Sequence, residues 1–450
     1  MDWTVQSRGS MTLTRLLCAA TIVLAFAIPA ARAETLDQAL AYAYQHNPLL
    51  RAARASQTAA ESDVRAAEGG WYPQLGLTGG VSRDNETGEI TFFPQPTEFD
   101  ADLNQSRIAL RVEQPLYQGG RVSSDVAANK NNASAAHADT RAEEANVLLA
   151  AVQAYLGVVT AQAVLKVQNE NVEVLGRQVK AAKQSLAYGE GTRTDVAQAQ
   201  SRLQGAIAAR IQANAALAES RARYQAIIGR EPGALTLPNI VPALPVSLDQ
   251  AETLATQNYS VVAARFAAMA AADQADAAHN ALYPEVGLYA EINRQVNPQY
   301  GFSNLTDRVV GVDVSIPIWE GGSLRARSAA AQARADSASL QARSVEDQAR
   351  AEAAGAWQDY AAAHSAIDAI RAQLDAARIA YDGVDAEHRH GERTLLDVLN
   401  AAQEVRNAEV ALVRAQRDDI LAGYALLATT GGLSGAALHL PVANATGSSP

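Results

Sequence analysis

Four short segments of the chain alternate apolar and polar residues with period two. Leu75 and Leu77 alternate with Gln74, Gly76 and Thr78, and Ile108, Leu110 and Val112 alternate with Arg107, Ala109, Arg111 and Glu113. Val286, Leu288, Ala290 and Ile292 are set against Gly287, Tyr289, Glu291 and Asn293; Val310, Val312, Val314 and Ile316 are set against Gly311, Asp313 and Ser315. Successive side chains of a strand point to opposite faces, so each segment predicts a strand with one apolar and one polar face, over about 74–83, 106–116, 285–294 and 308–318. Each is near the roughly 9–11 residues that cross a bilayer as a tilted strand. Trp71, Tyr72, Tyr117, Tyr283 and Trp319 flank the strand ends, where membrane barrels carry aromatic girdles. The connections from Ser82 to Asn104 and from Arg294 to Asp307 are polar and read as loops, suited to an extracellular face.

Between the strand pairs the period changes. Residues 121–188 and 325–390 contain no proline and are rich in helix formers. Val158, Leu165, Val172, Val179 and Leu186 recur at steps of seven, as do Val398, Val405 and Leu412, the spacing of a coiled-coil seam. A helix of that length runs on the order of 100 Å at 1.5 Å per residue. Glycine-containing turns, Tyr188 to Thr194 and His390 to Leu396, then predict tight reversals into return helices over about 194–228 and 394–427. Shorter helices are expected over 36–67 and 248–281.

The elements come twice. Pro115, Gly119-Gly120, Tyr155, Gly189-Glu190, Asp195-Val196 and Gly229 match Pro317, Gly321-Gly322, Trp357, Gly391-Glu392, Asp397-Val398 and Gly431 at one offset of 202. Leu36-Asp37-Gln38-Ala39 recurs as Leu248-Asp249-Gln250-Ala251, and Tyr72-Pro73 as Tyr283-Pro284. The chain therefore divides into repeats at 34–229 and 247–431, joined by a proline-rich linker at 230–246 and followed by a tail at 432–450 expected to be disordered.

Residues 1–33 read as an export signal: Arg15 precedes the apolar run Leu16 to Ile28, Ala31-Arg32-Ala33 is a cleavage site, and either Met1 or Met11 can start it. The single cysteine, Cys18, falls inside it, so the mature chain has no thiol chemistry. The formal charge of −11 includes +2 from the signal (Arg8, Arg15 and Arg32 against Asp2), which leaves −13 and argues against a nucleic-acid partner. No transmembrane helix is expected after the signal. Four strands cannot close a barrel, and open edges are not tolerated in lipid, so strands that span a membrane require two chains (eight strands) or three (twelve). No Ser/His/Asp set, phosphate loop or paired zinc spacing is present, so no enzyme activity, metal or cofactor is expected; His388 and His390, at i,i+2, do not share a helix face.

Taken in order, Tyr72-Pro73, Gln114-Pro115-Leu116-Tyr117-Gln118-Gly119-Gly120, Gly191-Thr192-Arg193-Thr194-Asp195-Val196, Tyr283-Pro284, Ile316-Pro317-Ile318-Trp319-Glu320-Gly321-Gly322 and Gly391 to Val398 resemble the TolC family of outer membrane efflux and secretion ducts, across the mature chain to about Leu433. The tip sequence is similar to the type I secretion branch. The resemblance implies an α+β membrane protein of two tandem repeats. Four strands per chain would contribute to a trimeric 12-stranded outer membrane barrel, continued by an antiparallel coiled-coil tunnel in the periplasm. It implies a homotrimer that works with a periplasmic adaptor and an inner membrane transporter of the ABC or RND type. Pro115 and Pro317 would mark strand–helix junctions. Asp397 matches a carboxylate ring at the periplasmic gate, and the next ring position falls on Asn400, a departure from the acidic pattern. Arg393 matches a latch arginine with Thr194 and Asp195 as partners, and His388 stands where a second latch uses tyrosine. Gly189, Glu190, Gly191, Gly391 and Glu392 would form the adaptor-docking tips. The competing reading is a periplasmic coiled-coil scaffold or adaptor, in which the apolar strand faces would pack on a protein core.

Overall fold

The computed structural model describes residues 34–90, 97–238, 243–299 and 301–440. The export signal with Cys18, part of the linker and the last ten positions of the tail lie outside them. Each half begins with two helices, α1 (Leu36–His46) and α2 (Pro48–Glu68) in the first, α5 (Leu248–Ala255) and α6 (Tyr259–Asn280) in the second. A strand pair follows, β1 (Gln74–Ile90) with β2 (Thr97–Gln118), and β3 (Glu285–Gln299) with β4 (Phe302–Ser315). The long helices complete each half: α3 (Arg121–Ala187) and α4 (Arg193–Ile228), then α7 (Ser323–Arg389) and α8 (Leu395–Thr429). Both α3 and α7 have 67 residues, and their starts differ by 323 − 121 = 202.

The strands form one antiparallel sheet in the order β1-β2-β3-β4. Its register joins like with like. Leu77 faces Leu110, which faces Ile292; Leu75 faces Val112, then Ala290, then Val310; Leu288 faces Val312 and Val286 faces Val314. The opposite face carries Arg107, Arg111, Glu113, Glu291, Asn293 and Asp313. There Arg111 Nη1 lies 3.2 Å from Glu291 Oε2 and Arg107 Nη2 lies 3.5 Å from Glu291 Oε1. The Tyr289 ring covers Gly311, where any Cβ would come within 2.9 Å of it, and Arg111 stacks on the same ring at 5.1 Å.

Two expectations about the strands are corrected. The polar connections after Ser82 and Arg294 are not loops: pairing continues from Ser82↔Gln105 to Ile90↔Thr97, and β3 reaches Gln299 before β4 begins at Phe302. Strand formation needs backbone pairing and alternation, and cross-strand polar pairs support it as well as apolar ones. Arg83 is ion-paired to Asp102 across the hairpin, and Asn85 Nδ2 donates to Asp100 Oδ1 at 2.9 Å. The second correction concerns Pro115. It lies within β2, opposite Gly287, and the register shifts between Pro115 and Tyr117 before the strand ends at Gln118. A proline has no N–H to give a ladder, so it sits where a bulge interrupts one. The shift brings Tyr117 opposite Val286, on the apolar row. Pro317 does lie between strand and helix, two residues past the end of β4.

The chain turns from sheet to helix through paired left-handed glycines, Gly119 and Gly120 (φ 61° and 89°) and Gly321 and Gly322 (φ 65° and 83°). Only glycine adopts that backbone without cost. Asn47 caps α2 and its Nδ2 donates to Ile227 O at the end of α4 (2.9 Å); Asn258 caps α6 and its Nδ2 donates to Thr429 O at the end of α8 (2.8 Å).

The main core lies mid-molecule, where Leu36, Leu40 and Tyr44 of α1 meet Leu148, Val152, Tyr155 and Leu156 of α3, Tyr224 and Ile228 of α4 and Tyr424 and Leu427 of α8. α3 contains an 18-residue window apolar enough to cross a membrane by composition, a run the sequence reading did not find, and half of it is buried within the chain. Val147, Leu148, Ala151, Val152, Leu156 and Val158 are all in the core, which accounts for the apolarity of that stretch. Glu34 enters the same region. It pairs in parallel with Leu235, and its Oε1 accepts from Tyr224 Oη and Arg230 Nη2, both at 2.6 Å. Burial and the adjacent Glu34 carboxylate push the Tyr224 phenol well up. The start of the tail is ordered rather than disordered. Leu433 and Leu440 are buried in this core, and the Gly435 amide donates to the carboxylate of the buried Glu144.

The long helices differ in what they bury. α3 is buried along most of its length, whereas α7 buries only Ala335, Ala342, Ala349, Ala353, Ile367 and Leu374. Three of those alanines recur at steps of seven, as do Ala199, Ala206 and Ala213 on α4. Alanine at a seam lets helix backbones approach closely.

Candidate functional site

The tips are built by one local rule used twice. α3 is capped by Tyr188 and the chain reverses at Gly189 (φ 79°); α7 is capped by His390 and reverses at Gly391 (φ 79°). Glu190 N donates to Ser185 O at 2.9 Å and Gly189 N to Leu186 O at 3.1 Å, while Glu392 N donates to Glu387 O at 3.0 Å and Gly391 N to His388 O at 2.9 Å. These bonds satisfy the last carbonyls of each helix, as a Schellman turn requires. The return helices then start on capping boxes. Thr192 caps α4 and bonds reciprocally with Asp195; Thr394 caps α8 and bonds reciprocally with Asp397.

The caps fix the state of the two aspartates. Asp397 Oδ2 accepts from Thr394 Oγ1 at 2.7 Å and from Thr394 N at 3.1 Å, and these bonds hold the carboxyl below its ordinary range. Asp195 Oδ2 accepts from Thr192 Oγ1 at 2.7 Å and Thr192 N at 2.9 Å, with the same effect. His388 lies in the last turn of α7. Its Nδ1 donates to Arg393 O at 2.8 Å.

Within one chain, the expected latch residues are joined only in part: His388 reaches the Arg393 backbone, while the Arg393 side chain bonds neither Thr194 nor Asp195. Arg393 Nε donates to Glu387 Oε2 at 2.8 Å on its own hairpin, and that bond raises the guanidinium pKa. Asp195 is engaged by Thr192, and Thr194 is exposed. Asn400 Oδ1 accepts from Arg202 Nη2 of α4 at 2.8 Å. Gly189 and Gly391 have open space around them, whereas Gly191 is packed, its Cβ position lying 3.1 Å from Leu186 N. Glu190 and Glu392 are exposed. Sequence reasoning missed Glu387, Arg202 and the Glu34–Tyr224–Arg230 group. Only the i,i+6 spacing of Glu387 and Arg393 across a turn carried a local signal; the others pair residues more than 180 positions apart.

At the other end of the molecule the sheet is bare. Val310, Val312 and Val314 are 77%, 61% and 57% exposed, and no described element of the chain covers them.

The sequence profile of the family described as Outer membrane efflux protein matches residues 39–230 and 251–432. The chain belongs to this family of TolC-like channels. It is 32% identical over 418 residues to the outer membrane efflux protein BepC of Brucella suis biovar 1, covering 92% of this chain and 89% of that one. It is 27% identical over 415 residues to the outer membrane protein TolC of Vibrio cholerae, covering 89% and 92%. The fold matches the crystal structure of the outer membrane protein VceC of Vibrio cholerae with a TM-score of 0.75 at 22% identity, over 88% of this chain and 96% of that one. Membership of the family makes the protein an outer membrane channel, with its sheet in the membrane and its long helices in the periplasm. The family consists of transport channels rather than enzymes.

Proposed function

We propose that three copies of this chain close a twelve-stranded barrel above a helical tunnel, and that the tunnel carries cargo outward from a periplasmic adaptor and an inner membrane transporter. The observation that carries this is the match between the two free edges of the sheet. β1 and β4 are the edges of a four-stranded order. The two halves are related by 317 − 115 = 202 at the second strand and 283 − 72 = 211 at the first. Applying these offsets to the β2–β3 register turns Leu110↔Ile292 into Val312 against Val81 of the partner subunit. Gln114↔Leu288 becomes Ile316 against Leu77 of the partner subunit, and Tyr117↔Val286 becomes Trp319 against Leu75 of the partner subunit. Each pair is apolar, and all six residues are exposed in the single chain. A head-to-tail contact of this kind closes into a ring.

The glycine turns support the same contact. Gly119 packs against Asn280 O and Tyr283 Cβ, both 2.7 Å from a Cβ built on it, whereas nothing lies within 4 Å of Gly321 or Gly322. The offset places Gly69 and Tyr72 of the partner subunit where Asn280 and Tyr283 sit in the first half. The scaffold reading needs a protein core over Val310, Val312 and Val314, and their exposure speaks against it.

In this assembly the tips close the tunnel. Asp397 would recur three times around the axis, with Asn400 one turn on. Arg393 would exchange Glu387 for Thr194 and Asp195 of a neighbouring chain, with His388 in the place of a latch tyrosine. The exposed turns Gly189-Glu190-Gly191 and Gly391-Glu392 would receive the adaptor. The Gly191 to Val196 sequence supports a type I secretion role, because it is similar to the tips of that branch. The mature chain has no cysteine, so a Val81→Cys/Val312→Cys double variant reports the edge contact cleanly. Oxidation should yield dimers and trimers and nothing larger, while Val81→Cys with Asp313→Cys, on opposite faces, should yield none. A ladder beyond trimer, or no cross-link in properly inserted protein, would defeat the assembly.

A further inference from the structure

α8 carries two apolar seams. Val405, Ala408 and Leu412 pack on Leu374, Ala377 and Tyr381 of α7, within the second hairpin. Leu395 and Leu399 face the other way, into Leu175, Val179 and Ala182 of α3 and Ala199 and Ala206 of α4. The second hairpin is therefore fastened to the first in two places. One is the mid-molecule core, through Ile420, Tyr424 and Leu427. The other is the tip, where Leu399 is 2% exposed. Between them no apolar cluster of described residues joins α8 to the first hairpin. A cleft of mixed lining lies there instead, with Thr160, Val164, Ala213, Arg414 and Arg417 on its walls. Leu399 and Ile420 are 21 residues apart, about 32 Å of helix. The tip contact can therefore part while the core holds, as the free end of a lever.

Polar bonds follow the tip seam on its core side. Arg202 Nη2 of α4 donates to Asn400 Oδ1 of α8 at 2.8 Å, and Arg406 Nη1 of α8 lies 3.9 Å from Glu170 Oε2 of α3. We infer that Arg202 and Asn400 form a clasp that, over the Leu395–Leu399 seam, holds the second hairpin against the first and keeps the tunnel closed. The inference rests on the tip gate proposed above. It gives Asn400 a role as a neutral acceptor for a cross-hairpin guanidinium, a positioning residue rather than a member of a charged ring. An amide acceptor suits a clasp that must open, because its bond to arginine is weaker than an ion pair.

The test is resting conductance in planar bilayers, with detergent-stable assembly checked for every variant. Arg202→Ala and Asn400→Ala should each raise resting conductance about three- to tenfold, the size expected for losing one solvent-exposed hydrogen bond of ordinary net strength. The double variant should match the larger single effect, because both changes remove one bond. Asn400→Asp should lower resting conductance at low salt, lose that effect at high salt, and lose it again when combined with Arg202→Ala. Multiplying effects in the double variant, or an Asn400→Asp channel as open as Asn400→Ala, would overturn the clasp. Leu399→Asp separates the two levels of the argument. If it opens the channel while the Arg202 and Asn400 variants stay at the wild-type level, the clasp fails and the gate stands. If it inserts, assembles and leaves conductance unchanged, the tip gate and the clasp both fail.

Discussion

Replacing Val314 by arginine tests the membrane face of the sheet. Val314 pairs with Val286 on the apolar face and is 57% exposed. From Arg308 to Trp319, through β4 and the four residues that follow its end at Ser315, the apolar face spans 11 residues. At about 3.4 Å per residue that is roughly 37 Å of chain, or about 28 Å of height at a tilt near 40°, close to the ~25 Å band of outer membrane barrels. Val314 lies six residues from one boundary and five from the other, near the midplane. Arginine at that depth costs about 2–4 kcal/mol, hence roughly 6–12 kcal/mol if three chains assemble as proposed. Asp313→Arg, one residue away on the polar face, should change stability by less than about 1 kcal/mol. Equilibrium unfolding in lipid vesicles, with the fraction recovered in the outer membrane as a second readout, measures both. A Val314→Arg protein as stable as wild type, or an Asp313→Arg protein more impaired than Val314→Arg, would show that the faces are assigned the wrong way round.

Other expectations follow from the core and the caps. Tyr224→Phe removes the hydroxyl that donates to Glu34 at 2.6 Å, and should cost about 1.5–3 kcal/mol, read by thermal unfolding of the assembled protein. Thr394→Ala removes the α8 cap and should cost about 1 kcal/mol locally, raising amide exchange at Thr394 and Asp397 without shifting global unfolding. Because the caps depress the Asp195 and Asp397 pKa values, their contribution is fully present above the ordinary aspartate value of about 3.9 and is lost as pH falls through the depressed values. Tip exchange, corrected for its intrinsic pH dependence, should therefore stay constant from neutral pH down to about 4 and rise only below it.

The fold was legible where a period or a repeat carried it. Val158, Val179, Val398 and Val405 fall on seven-residue steps and are buried, and the alternating strands have one apolar face. Legibility failed where stability depends on partners distant in sequence. The β1–β2 hairpin is held by polar pairs such as Arg83–Asp102, so its residues look like a loop until their cross-strand neighbours are known. Pro115 reads as a strand end because proline breaks ladders, yet a bulge accommodates it. The apolar stretch of α3 is interrupted by Ala, Gln, Gly and Thr, which hid its mean hydropathy. At the tips, the turns were legible from Gly189 and Gly391, and the Thr-x-x-Asp caps carry a local spacing that went unread, whereas Arg202–Asn400 joins residues 198 positions apart and had no local signature.

Single-channel recording of the purified mature protein in planar bilayers, wild type against Arg393→Ser, tests the central claim most directly. A tip-gated duct predicts a small, uniform resting conductance in the wild type and a larger one in the variant, which lacks the guanidinium that bonds Glu387 or a neighbouring chain. Absence of conductance from both proteins, with insertion and assembly verified, would contradict it.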